Sequence, residues 1–206
     1  RFLEKPSRDQ ITTNMINAGV YILENEVLDS IPANTNYSFE RQLFPDLLQR
    51  GQPVFAFASE AYWIDIGKPE TYLQTHLDLI QGKSRNYAVN SRTDIRMGTN
   101  CRLDPSARLE GPLLIGDNCE IGPRASLIGP LVLGAGSSIQ ADAVVQSSVL
   151  WPNVVCSAKT CVKNSLIAND CVLGQESCVE SSLIGCHITL TPRTRLGPGS
   201  RIWPPA

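Results

Sequence analysis

The chain has 206 residues, 42% of them hydrophobic and only 6% aromatic, with a formal net charge of -2. That length and apolar share exclude a disordered chain, and the lack of basic excess removes nucleic acid as a default partner. No apolar run approaches the ~20 residues of a membrane-spanning helix, so no membrane partner is expected.

The start, Arg1-Phe2-Leu3-Glu4-Lys5-Pro6, has neither an initiator Met nor a signal-peptide core, and it reads as the interior of a longer chain. Met15-Ile16-Asn17-Ala18-Gly19-Val20-Tyr21-Ile22-Leu23 ends in an apolar run suited to a buried strand. After Ser38, the residues Phe39, Leu43, Phe44, Leu47 and Leu48 fall at helical spacing, and Gly51 can end that helix. Val54-Phe55-Ala56-Phe57 and Tyr62-Trp63-Ile64-Asp65-Ile66 predict two further strands. Pro69 opens a helix at its first position, with Tyr72, Leu73, His76, Leu77 and Ile80 on one side and Gly82 as its stop. Residues 1–83 therefore read as α/β, and the polar stretch 84–102 reads as a linker.

From residue 103 the grammar changes. Apolar residues recur every sixth position at Leu103, Leu109, Ile115, Ile121, Leu127, Leu133, Ile139, Val145 and Trp151. The period resumes in shifted phase at Ile167, Leu173 and Val179, and again at Leu190, Leu196 and Ile202. Four residues after most anchors stands a compact residue, such as Ala107, Cys119, Ala125, Ser137 or Ala143. A helix needs spacings of three and four, and a hairpin strand needs strict alternation. Period six fits a parallel β-helix, in which three hexapeptides make one triangular coil and stacking buries each anchor. Breaks in phase are predicted at 157–166 and 184–189.

The seven cysteines, at 101, 119, 156, 161, 171, 178 and 186, form no Cys-x-x-Cys, and the two histidines do not complete a zinc site. They read as small buried thiols of a reducing, cytoplasmic compartment.

Three short motifs carry candidate chemistry. Pro6 holds Lys5 extended, so Lys5 and Glu4 project to opposite faces; the carboxylate suits a sugar hydroxyl and the ammonium a phosphate. Two exposed charges account for the pair equally well. In Asn17-Ala18-Gly19, glycine permits close backbone approach and asparagine offers a donor and an acceptor. A plain strand-entry turn is the alternative. In Trp63-Ile64-Asp65-Ile66-Gly67, Asp65 is a carboxylate that suits Mg²⁺ shared with phosphate oxygens, or else a structural hydrogen bond.

Taken in order, Phe2-Leu3-Glu4-Lys5-Pro6, Asn17-Ala18-Gly19-Val20-Tyr21, Ser38-Phe39-Glu40 with Phe44-Pro45, and Tyr62-Trp63-Ile64-Asp65-Ile66-Gly67-Lys68-Pro69-Glu70, followed by hexapeptides, resemble the sugar-phosphate nucleotidyltransferase family. Within it the pattern is most like the mannose-1-phosphate guanylyltransferase (GDP-mannose pyrophosphorylase) type. The resemblance implies the C-terminal part of a Rossmann-like domain followed by a left-handed parallel β-helix over 103–206. It also implies transfer of a nucleotidyl group from a nucleoside triphosphate to a sugar 1-phosphate. By the same resemblance Glu4 holds sugar hydroxyls, Lys5 holds the sugar phosphate and acts in catalysis, Asn17 and Gly19 line the sugar pocket, and Asp65 binds catalytic Mg²⁺. Lys68 departs from the pattern, which commonly has Thr before the helix-opening Pro.

No Gly-x-Gly-x-x-Arg-like segment occurs in residues 1–30, and the second magnesium carboxylate is likewise expected upstream. The expectation is a C-terminal segment carrying the sugar side of a site, inactive alone, that forms homo-oligomers through its β-helix. Two alternatives compete. One is a non-catalytic regulatory or assembly subunit, with Trp151 and Trp203 capping or bridging coils. The other is a hexapeptide acyltransferase using His187 as general base.

Overall fold

A six-residue period sets one apolar side chain on each side of a three-sided coil, and the strands follow that pattern. In the computed structural model, which describes residues 7–84 and 94–204, short strands from Ile95–Met97 to Arg201–Ile202 stack in parallel into three sheets. Face A has seven strands, and faces B and C have six each. Consecutive strands never pair; each pairs with the strand one coil away, as in Leu103↔Ile121↔Ile139 on face B. The anchors point inward as predicted. Ile121, Leu127, Leu133, Ile139, Val145, Leu173 and Val179 are each at most 2% exposed.

Of the two predicted breaks in phase, 157–166 contains one, at Asn164, and 184–189 contains none; two further shifts lie outside both. Register pairs Leu133 with Leu150, not with Trp151, and Leu150 is fully buried while Trp151 is 36% exposed. The inward series runs on through Cys156, Val162 and Ile167 without interruption. One side of each later coil is shortened by a residue, at 145–150, 162–167 and 179–184. The corners there are Ser147, Asn164 and Ser181, all with φ between 45° and 47°. A buried serine follows each corner and stands in for the lost backbone group. Ser165 Oγ donates to the Lys163 carbonyl (2.7 Å) and accepts from the Ser182 amide (3.1 Å), while the Ser165 amide donates to Ser148 Oγ (3.1 Å). Both polar atoms are thereby satisfied inside the prism. An isolated deletion of one residue is invisible to a period search, which reports only the accumulated offset.

The outer surfaces of the three faces differ in chemistry. On faces B and C the inward positions are apolar and the outward ones mixed, Arg102, Glu120 and Ser138 sharing face B with Val155 and Val172, whereas the middle strands of face A are apolar on both sides. Outside face A, Leu114, Val132, Val149, Leu166 and Leu183 stack in register. Such two-sided strands need a cover. Helix α3 (Pro69–Ile80) provides it; α1 (Asn25–Leu28) and α2 (Phe44–Gln49) precede it in the chain. Tyr72 of α3 meets Trp151 edge-on at 6.2 Å, Leu73 lies in a cleft with Leu166 and Leu183, and Glu70 pairs with Arg201. Val149 is left 1% exposed. Trp151 thus packs within its own chain, and Trp203 stays 58% exposed.

Contacts divide the chain into two units, residues 1–63 and 64–206, so α3 groups with the solenoid. In the first unit, helix formation after Ser38 follows the predicted span with one change. Residues Phe39–Leu43 form a π-turn before α2 begins. Gly51, with φ +70°, ends α2: its amide and that of Gln52 bond back to Leu48 and Leu47. Gly82 ends α3 in the same way, with bonds to Leu79 and from Lys83 to Asp78. The predicted strands at 20–23, 54–57 and 62–66 join no ladder among the described residues. Val20, Ile22, Phe55 and Phe57 are 81%, 100%, 91% and 96% exposed. Strand character requires a neighbour to accept and donate, and apolar alternation alone supplies none.

Candidate active site

Of the residues singled out by sequence, Glu4 and Lys5 lie outside the described residues. Asn17 and Gly19 belong to the first unit and Asp65 to the second. The structure brings Asn17 and Gly19 together. The Gly19 amide donates to Asn17 Oδ1 (3.1 Å), closing an Asx turn, and Gly19 takes φ +72°, where a side chain would be strained. The other half of the Asn17 amide is also engaged. Its Nδ2 donates to the Tyr21 hydroxyl (2.5 Å), which donates to Glu40 Oε1 (2.8 Å); Ser38 Oγ donates to Glu40 Oε2 (3.1 Å).

Ser38 does two jobs here. As N-cap it accepts the Arg41 amide (3.2 Å), and its own amide donates to Gln42 Oε1 (2.8 Å), so the start of the helical segment is fixed. Beneath the network the Tyr21, Phe39 and Phe44 rings pack with centroids 4.8 to 6.0 Å apart, over buried Leu43 and Leu47. A small aromatic core therefore holds a chain of polar groups that runs from the Asx turn to a carboxylate. Tyr21 and Glu40 were missed as members of the site. Both stand in the motif segments, but only tertiary contact shows that Glu40, 19 residues on, closes the chain from Tyr21.

The Tyr21 hydroxyl, then backbone and Ser38 hydrogen bonds, hold the Glu40 carboxyl below the usual carboxylate range. Its folded value is depressed, so the stabilisation is present above the unfolded value and lost as pH falls through the folded one. Tyr21→Phe is expected to move the Glu40 titration upward, toward the ordinary glutamate value, read by carbon-detected NMR of the side-chain carboxyl. An unmoved titration would mean that the Tyr21 bond is not formed in solution.

Asp65 is exposed, and its Oδ1 accepts the Gly67 amide at 2.9 Å. The turn runs directly into α3, whose first residue is Pro69. Lys68 stands at the N-cap with no side-chain bond to the helix. Among the described residues no group of three or more His, Cys, Asp or Glu could hold a metal by itself. A lone accessible carboxylate fits Mg²⁺, which keeps several waters and takes its remaining ligands from substrate phosphates.

His187 occupies a corner of the solenoid, with φ +59°, in one column with Asn100, Asn118, Gly136, Asn153 and Asp170. Its Nδ1 lies 3.6 Å from Asp170 Oδ2. The residue serves the turn, as its neighbours in the column do.

Residues 1–82 match the family model for nucleotidyl transferases, and residues 109–202 match that of the GMPPB C-terminal domain. Two family models thus match in succession along one chain. A UTP–glucose-1-phosphate uridylyltransferase of Synechocystis is 32% identical over 55% of this chain and 30% of its own length. A mannose-1-phosphate guanylyltransferase of Mycobacterium tuberculosis is 33% identical over 55% of this chain and 32% of its own. A mannose-1-phosphate guanyltransferase of Eremothecium gossypii is 33% identical over 54% and 30%. The chain spans about a third of the length of the curated relatives it matches. The exposed Val20, Ile22, Phe55 and Phe57 lie in the part matched by the nucleotidyl transferase model. No helix among the described residues is long and apolar enough to cross a membrane.

Proposed function

We propose that the chain is the sugar-binding and solenoid portion of a sugar-1-phosphate nucleotidyltransferase that uses mannose 1-phosphate and GTP. The observation that carries this reading is the succession, on one chain, of a nucleotidyl transferase match and a GMPPB C-terminal match. Residues 1–83 supply the sugar side, and the β-helix, whose first strand is Ile95–Met97, supplies the surface through which the chain self-associates. The reaction joins two anions, so the protein must position them and offset their charge. Lys5 holds the sugar phosphate as a compact cation and Glu4 takes sugar hydroxyls. The Asx turn at Asn17 presents Gly19 without a side chain, so the sugar ring can approach the backbone. The Tyr21–Glu40 chain keeps Asn17 in one orientation while it does so. Asp65 would hold Mg²⁺, which when bound offsets negative charge on the phosphates. The protein acts in the cytoplasm.

The test is release of pyrophosphate and formation of a nucleotide sugar from GTP and mannose 1-phosphate. The native protein is expected to turn over, and the 206-residue chain alone is not. Asp65→Asn in the native protein is expected to lower kcat by about 100-fold or more, since it weakens the ligand that would hold Mg²⁺ against the reacting phosphates. Robust turnover by the isolated chain, or an unchanged rate in Asp65→Asn, overturns the reading.

A further inference from the structure

Two of the seven thiols are neither core filler nor corner residues. Cys161 and Cys178 sit directly opposite one another on adjacent parallel strands of face C, Cys161–Lys163 and Cys178–Glu180. Both alternate with fully buried Val162 and Val179, so both face outward, and both are partly exposed. Parallel neighbours stand about 4.8 Å apart, inside the Cα separation that a disulfide spans. The column continues to Arg195, in register with Cys178, while Lys163 shares the outward face with Cys161. Cys119 also has a thiol beside it, that of Cys101, and Cys171 lies near Cys186, but Cys119, Cys156 and Cys171 are fully buried.

We propose that Cys161 and Cys178 form an oxidisable dithiol, a modification site that closes to a cross-coil disulfide on reaction with a hydroperoxide. Cys178 is the attacking sulfur; it stands in register with the cation Arg195 on the next strand. Its Sγ bonds to the distal peroxide oxygen as the O–O bond breaks, giving a sulfenic acid, and the departing oxygen leaves as water or alcohol once protonated. Cys161 then attacks Cys178 Sγ and expels the hydroxyl as water after proton transfer. Two thiols and one hydroperoxide become one disulfide, one water and one water or alcohol, with two electrons passed to the peroxide. Burial pushes the Cys161 thiol up, and the neighbouring Cys178 raises it further. That setting suits a resolving role. The product ties neighbouring coils together on a face that α3 does not cover.

The experiment is titration of the purified chain with hydrogen peroxide, followed by digestion after lysine and after glutamate. Those cuts isolate residues 160–163 and 177–180, each with one cysteine. The expected result is a reducible link between these two fragments and a mass lower by two hydrogens. In Cys161→Ser, Cys178 is expected to stop at the sulfenic acid and be captured by a cyclic 1,3-diketone; in Cys178→Ser, Cys161 should take no label. Because both side chains face outward, either variant should melt like the parent, which separates lost chemistry from lost fold. Absence of the 161–178 link, links through the other cysteines instead, or equal labelling of Cys161 in Cys178→Ser would overturn the proposal.

Discussion

Ile121→Asp is expected to abolish cooperative melting of the solenoid. Ile121 is 2% exposed, stacked between Leu103 and Ile139 in the interior of the prism. An aspartate there meets only aliphatic side chains and has no partner for its charge. Leaving a buried charge uncompensated costs about 3–5 kcal/mol, a large share of the roughly 5–15 kcal/mol that holds a typical domain folded. Each coil contacts only its neighbours, so damage at one coil removes the seat of the next. Circular dichroism on heating measures the effect. A melt superimposable on the parent's would contradict the inward placement of the period-six anchors.

The second large effect separates the two kinds of outward position. Val149 on face A and Val155 on face B both point away from the prism, yet Val149 is buried and Val155 is half-exposed. Val149→Asp is expected to cost about 3 kcal/mol, since it places a carboxylate beneath α3 with nothing to pair it. Val155→Asp should stay within about 0.5 kcal/mol of the parent, as ordinary surface substitutions do. Hydrogen exchange adds a local readout. A helix of 12 residues is marginal in water without tertiary contacts, so α3 amides should lose protection in Val149→Asp while the inner strands keep theirs. Equal costs at the two sites would show that α3 does not cover face A. The Asp65 turn leads directly into this helix, so the stability of the α3 seat also governs how firmly that carboxylate is held.

The inward anchors, the two helix stops at Gly51 and Gly82, and the Asn17-Ala18-Gly19 turn were legible because each depends on neighbours in sequence. Spacing decides which side of a coil a residue takes, and glycine at a helix end follows from the left-handed backbone required there. Ser147, Asn164 and Ser181 show where that legibility fails. Each shortens one coil side by a residue, and the compensation is a serine hydroxyl reaching the next coil, a contact that no local pattern contains.

The site divides along the same line. The sequence by itself determined that Asn17 and Gly19 sit in a short turn beside an apolar segment, and the Asx turn formed as the residue types require; Asp65, read as part of a strand, lies instead in a turn closed by the Gly67 amide. Only tertiary structure decided that Tyr21 and Glu40 extend the Asn17 chain, because a hydrogen bond across 19 residues depends on how the Phe39 and Phe44 rings pack. Only tertiary structure decided that α3 lies on face A, although the apolar runs Leu113-Leu114-Ile115 and Leu131-Val132-Leu133 already required some cover. A stretch buried on both sides announces that it needs a partner. Which partner it takes is settled by shape and by the reach of the chain, and those exist only once the coils have stacked.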